Sequence, residues 1–248
     1  MLRYLVLEIR RTYRDRRFVF FTLAVPVCFY LLWSNIFTKN TDLDPDTGLN
    51  AKTYLLVSMA AFGALGASLT TTGARLAAER QSGWLRQLQV TPLRPWSVIT
   101  TKVIASMCLA LPAVILVGLT AVLTQHVNLS AGEWAAFIGA MWVGTLPFAA
   151  LGTLIGSLVS ADAAQPLTVA CYFGLSILGG VWMSVSILPK TLRTIAHWTP
   201  SNRFADLGWS IAAGHTPPAS DALILAGWTA VLGALAIMAY RRATVRSC

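Results

Sequence analysis

Charge is scarce in this sequence, and acid scarcer still: 12% of the 248 residues are charged, and Asp and Glu together number 10. An ordinary soluble domain carries about twice that charged fraction, so a water-exposed globule is excluded. Cysteine and histidine are few, at 4 and 3. Cys28, Cys108, Cys171 and Cys248 form no Cys-x-x-Cys pair. A disulfide framework is therefore absent, and the thiols serve as small apolar filler. His126, His197 and His215 are not spaced as metal or haem ligands, and no metal site is expected.

Motifs are missing too. No stretch matches G-x-x-x-x-G-K-[ST]; Gly152 to Gly156 (GTLIG) runs on into Ser157 and Leu158 without a lysine. The chain thus lacks the loop that cradles nucleotide phosphates, and Gly152 and Gly156 suit a small-x-x-x-small helix contact instead. No nucleophile is paired with a base, which argues against a membrane enzyme or an anchor for a redox partner. Residues 103–132, 134–161 and 163–189 contain no Asp, Glu, Lys or Arg. Ion-driven transporters keep ionisable groups in the membrane at a cost of about 2.5–3.5 kcal/mol each, so a secondary transporter is the second-ranked reading. Uphill transport by this chain would draw its energy from another polypeptide.

What is present is apolar: 56% of the residues are hydrophobic. Stretches near 18–38, 53–74, 103–124, 134–159, 165–188 and 222–240 each approach the roughly 20 residues a helix needs to cross a bilayer core. The expectation is an all-α polytopic membrane protein with six transmembrane helices in a single domain, 1–248. The net charge of +9 marks sidedness rather than a nucleic-acid partner. With the amino terminus inside, Arg3, Arg10, Arg11, Arg14, Arg16, Arg17, Arg75, Arg80, Arg86, Arg94, Lys102, Arg241, Arg242 and Arg246 lie inside. Lys39, Lys52, Lys190, Arg193 and Arg203 lie outside, a split of 14 to 5 that places both termini in the cytoplasm.

Residues 1–17 put Leu2, Leu5, Val6, Ile9 and Tyr13 on one helical face and Arg3, Arg10, Arg14 and Arg17 around the other. That pattern suits a helix lying in the headgroup layer. The loop 39–52 spaces Asp42, Asp44 and Asp46 two apart, but Pro45 sits among them and no glutamate closes a calcium site, so a solvated external turn is expected. Residues 189–220 mix Leu192, Ile195, Trp198, Phe204, Leu207, Trp209 and Ile211 with basic and polar residues. Two short helices, dipping into the membrane or lying on its outer face, fit that mixture.

The segment 75–97 carries charge, a glycine and two prolines between two apolar runs. Arg75, Glu79 and Arg86 fall near one helical face, and Trp84, Leu85 and Leu88 form an apolar patch suited to docking on a protein. Gly83 permits a bend or a close approach, and Thr91 before Pro92 disfavours further helix.

The stretch ERQSGWLRQLQVTPL, Glu79 to Leu93, resembles the cytoplasmic signature of ABC transporter permeases of the type-two exporter family. The later stretch LPKTLRTIAHWTPSNRFADLGW, Leu188 to Trp209, resembles that family's region between spans five and six. With six spans and a basic amphipathic leader, the resemblance covers essentially the whole chain. Trp84 and Arg86 stand where the family commonly has small polar and acidic residues. The resemblance implies half of a dimeric translocation unit, a homodimer or a heterodimer with a similar permease, in the bacterial plasma membrane. A separate ATP-binding subunit would dock beneath it, holding the ATP and Mg while this chain binds no cofactor. Glu79, Arg80, Gly83, Trp84, Arg86, Leu88 and Pro92 would form the ATPase-coupling element. The region at 189–213 would form re-entrant helices at the outer end, with Leu192, Trp198 and Phe204 at an outer gate. An aromatic pathway with Phe21, Phe29, Phe62, Phe173 and Trp182 suits an amphipathic drug, antibiotic or lipid as cargo.

Overall fold

The computed structural model describes residues 2–37, 47–84, 95–182 and 184–245. Among these residues the fold is all-helical: α1 (Leu2–Arg14), α2 (Arg16–Phe37), α3 (Ala51–Gln81), α4 (Pro95–Gln125), α5 (Ala131–Val143), α6 (Leu146–Leu158), α7 (Ala161–Leu178), α8 (Lys190–Trp198), α9 (Pro200–Ala212) and α10 (Ala219–Val245). A 3-10 turn, Val185–Ile187, lies between α7 and α8. Five stretches are long and apolar enough to cross a membrane: Arg16–Ile36, Ala51–Gln81, Trp96–Gln125, Ala131–Leu158 and Ala219–Arg242. The fourth is a pair, α5 and α6, broken at Gly144 and Thr145, with Pro147 in the first turn of α6. The fifth of the six expected spans, 165–188, is shorter as a helix than its apolar run. Helix α7 ends at Leu178 because Gly179 caps it and Gly180 takes a positive φ of 76°, leaving about 27 Å of helix at 1.5 Å per residue.

The core lies around α3, whose apolar window is 94% buried against 17% for both α2 and α10. Its sequence explains this position. The run AAFGALGASLTTTGA is built from small residues, and where lipid offers no hydrophobic drive, close backbone approach supplies the packing energy. Neighbouring helices seat against its glycines. Gly63 faces Pro26 of α2, Gly66 faces Tyr172 of α7, and Gly73 faces Thr168 of α7. Helix α6 approaches closest: a Cβ on Gly156 would stand 2.5 Å from the carbonyl oxygen of Gly73 and 2.8 Å from Leu76 Cβ, and one on Gly152 would strike Thr72 Oγ1. Thr72 returns its hydroxyl to the Ser68 carbonyl at 2.7 Å, so the polar atom at this contact stays satisfied within its own helix.

A helix end explains one stray charge, Glu133. Ser130 and Glu133 form a reciprocal cap at the start of α5, with Ser130 N–H donating to Glu133 Oε2 at 2.7 Å and Glu133 N–H to Ser130 Oγ at 3.3 Å. Asn50 caps α3 through Thr53 N–H at 2.9 Å. At the other end of α3, Ser82 closes the helix and Gly83 follows with φ 74°, the left-handed residue that terminates helices. The two ends of the bundle differ. One, the basic end, gathers α1, the end of α3, the start of α4 and Tyr240 of α10. The far end carries α8, α9 and the starts of α3 and α10.

The α3–α6 contact gives a direct test. Gly156→Ala should lower thermal stability in detergent, by about 1–3 kcal/mol for a methyl forced onto backbone. Gly139→Ala, where nothing lies within 4 Å, should be neutral or slightly stabilising. Equal behaviour of the two variants would contradict the close packing.

Candidate functional site

Helix α1 has three faces. Val6, Leu7 and Tyr13 are exposed apolar side chains, Arg3, Arg10 and Arg14 are exposed cations, and Tyr4, Glu8 and Thr12, spaced four apart, are buried against the bundle. A helix that turns its polar stripe to the protein and leaves its apolar side chains outside fits a membrane surface. The basic–apolar division stood out in the sequence, whereas the third face did not.

Glu8 meets a cation carried by another helix, and that cation also meets Glu79. The Nζ of Lys102, in the second turn of α4, donates to Glu8 Oε1 at 2.8 Å and lies 2.6 Å from Glu79 Oε2. The second approach is a charge contact only, since no hydrogen bond forms at Glu79 Oε2. Arg11 Nη1 donates to Glu79 Oε1 at 3.1 Å. Lys102, Glu8 and Glu79 are almost completely buried while Arg11 is half exposed. Two carboxylates face two cations, so the cluster is neutral, as burial demands. It joins α1, α3 and α4.

A second layer surrounds it. Arg75 Nη1 donates to Thr12 Oγ1 at 2.7 Å and Nη2 approaches Asp15 at 3.5 Å, with the guanidinium 5.1 Å from the Phe18 ring. Arg80 Nη1 donates to the carbonyls of Gly156 and Val159, at 2.9 and 3.2 Å, holding the C-terminal end of α6, where a cation is favoured. The Arg11 guanidinium lies 5.5 Å from the Trp84 ring. The Tyr4 phenol is pushed up, first by burial and then by the charges of Glu8 and Glu79, and it stays neutral.

Of the residues expected to couple to an ATPase, Glu79 and Arg80 are therefore engaged inside the chain. Gly83 ends α3 with open space around it, and Trp84 is half-buried against Tyr4, Leu76, Val98, Ile99 and Tyr240. Arg86, Leu88 and Pro92 lie outside the described residues, as do Asp42, Asp44 and Asp46. Four of the five expected pathway aromatics meet. Phe62 is 6.0 Å from Phe29, 6.0 Å from Phe173 and 5.2 Å from Trp182, and it stacks on Tyr172 at 4.5 Å. Phe21 stands apart and exposed, against Phe20. At the far end Leu192 and Trp198 are exposed, and Trp198 accepts from Trp228 Nε1 through its carbonyl at 2.9 Å. Phe204 is wholly buried on Phe148.

The far end holds its own ion set. Arg203 Nη1 donates to the fully buried Asp221 at 2.9 Å and lies 3.8 Å from Asp206. Asp206 is pushed up to about 6, first by burial, next by the charge of Asp221, then by a hydrogen bond that the two acids can share only when one is protonated; Arg203 and His197 pull the other way. Glu8, Lys102, Arg203 and Asp221 were not singled out from the sequence as site residues. Glu8 had a detectable signal, an acid four residues from both Tyr4 and Thr12 in a largely basic leader.

Comparison with known proteins adds the family. Residues 38–238 match the family model described as ABC-2 family transporter protein. The chain is also 30% identical over 222 residues, 89% of its length and 88% of the relative's, to a Bacillus subtilis (strain 168) protein named "Putative transport permease YvfS".

Two outcomes test these ion sets. Lys102→Met leaves two buried carboxylates facing only Arg11 and should cost about 3–5 kcal/mol in thermal unfolding in detergent. Adding Glu8→Gln and Glu79→Gln should restore most of it. Asp206 binds its proton more tightly folded than unfolded, so the stability due to that proton is complete below pH about 4. It is lost as pH rises through about 6, and Asp206→Asn should flatten the melting temperature across that window.

Proposed function

The chain belongs to the ABC-2 transporter family, and from that premise we propose that it is the membrane-spanning half of an ATP-driven exporter. Its role as a transport permease follows from the family, whose members normally work with a separate ATP-binding subunit. The finer reading is ours. The cargo is an amphipathic drug, antibiotic or lipid-like molecule, leaving the cytoplasm or inner leaflet through a dimer in the plasma membrane, with both termini cytoplasmic. Helix α7 is the fifth of six spans, and α8 and α9 are re-entrant helices that close the outer end.

The observation that carries the coupling is the buried Glu8–Lys102–Glu79 cluster. Glu79 lies three residues before Ser82, where α3 ends and the polar segment toward the ATP-binding subunit begins. A push on that segment therefore acts on a residue fixed to α1 and α4 at once. The ions are already desolvated, so the cluster resists sliding more than apolar contact would. Movement of the segment shifts the three helices together. Arg80, anchored on the end of α6, extends the same connection to a fourth. The uncharged spans support an outside energy source over an ion gradient.

Glu79→Ala should insert normally and still co-purify with an untagged ATP-binding subunit, while cargo-stimulated ATP hydrolysis falls at least tenfold. Full stimulation in that variant would remove Glu79 from the coupling path. Transport in proteoliposomes that followed a proton or sodium gradient without ATP would overturn the exporter reading itself.

A further inference from the structure

A cavity of about 300 Å³ lies at the far end, enclosed by the start of α3, the 3-10 turn, α8 and α9. Its lining is polar for a membrane protein and includes Arg193, His197, Arg203, Asp206, Trp209 and Tyr54. Two side chains give it a donor surplus. Among the described residues Arg193 uses only its Nε, toward the Val185 carbonyl at 3.3 Å. Its two terminal nitrogens have no partner among the described residues. Trp209 is 5% exposed, and its indole N–H is buried without a partner. Its ring is fixed by stacking on Tyr54 at 5.1 Å. A buried N–H left unmade is costly, a cost that a bound acceptor would remove.

The charges point the same way. Arg203 is held by Asp221 and Asp206, which leaves Arg193 as the cation of the lining without an acidic partner among the described residues. Donors arrive from both α8 and α9, and a phosphate offers them more acceptor oxygens than the two of a carboxylate. A guanidinium with both terminal nitrogens available matches a phosphate bidentately. The volume lies at the small end of ligand sites and suits a headgroup rather than a whole lipid or drug.

We propose that this cavity is a binding site for a phosphate ester of headgroup size, gripped by Arg193 and the Trp209 indole N–H, with Asp206 setting its charge. Asp206 faces Arg203 on its own helix, His197 on α8 and Asp221 on α10. Protonated, it is neutral and hydrogen-bonds Asp221; ionised, it repels the anion. Binding therefore weakens as pH rises through about 6. The site is independent of ATP coupling, so it stands or falls separately from the exporter reading.

The test is the melting temperature of the purified full chain in detergent with glycerol 3-phosphate, against glycerol plus sodium chloride at equal ionic strength. At pH 5.5 the phosphate ester should stabilise saturably, with an apparent Kd at least threefold tighter than at pH 7.5. Arg193→Gln should abolish the shift, and Trp209→Phe, which keeps a ring on Tyr54, should weaken it. Asp206→Asn should hold the pH 5.5 affinity at pH 7.5 and serves if the Arg193 variant does not fold. A second arm compares nanodiscs of phosphatidylglycerol and phosphatidylcholine. Wild-type stabilisation by phosphatidylglycerol that Arg193→Gln removes assigns the site to a lipid headgroup, and a response to the soluble ester alone assigns it to a free phosphate ester. No saturable shift in either arm, a shift retained in Arg193→Gln, or one insensitive to both pH and Asp206→Asn would overturn the proposal.

Discussion

The structure depends on an ammonium group held between two carboxylates where water is excluded. Lys102 reaches Glu8 and Glu79 from a third helix, and none of the three could be buried alone. A buried ion pair is a weak source of net stability, because desolvation offsets most of the attraction. Its value lies in selectivity. A register shift of α1 or α4 that parts the ions strands a charge, so the wrong arrangements are penalised more than the right one is favoured. Apolar packing against lipid gives little such discrimination, since a leucine is as well solvated by acyl chains as by another helix.

Two kinds of contact divide the work along α3. Through the middle of the bundle, small residues bring backbones together and polar hydroxyls turn back on their own helix. At the basic end, long charged side chains reach across to α1, α4 and α6. The same helix is closely packed in its middle and ionically tethered at its end. A displacement entering at Ser82 meets the tether first and the packed region afterwards.

Much of the fold could be read from residue order, because apolar run length and basic asymmetry are strong signals in a chain with so little charge. The spans around α2, α4 and α10 and the extension of α3 beyond the apolar stretch follow from such patterns. Other features were harder to read. Hydropathy averages across Gly144 and Gly179, so it does not reveal where a helix breaks inside an apolar run. The basic-end site was half legible: Glu79 stands out in its loop, but its partners lie 68 and 23 residues away, at Arg11 and Lys102. Counting Lys102 as a marker of sidedness hid its second use. The convergence of Phe29, Phe62, Phe173 and Trp182 depends on helix rotations that composition does not fix.

The distance along the chain between Glu8 and Lys102 also has a consequence for biogenesis. The pair spans 94 residues, so a ribosome adding roughly 5–20 residues per second needs about 5–20 s between delivering the acid and delivering its counterion. During that interval α1 has no protein to receive its polar stripe. A helix with an apolar side can rest at the lipid surface with Glu8 wet and ionised. The amphipathic leader is then a waiting position as well as a finished one, and emergence of α4 provides the lysine that ends the wait.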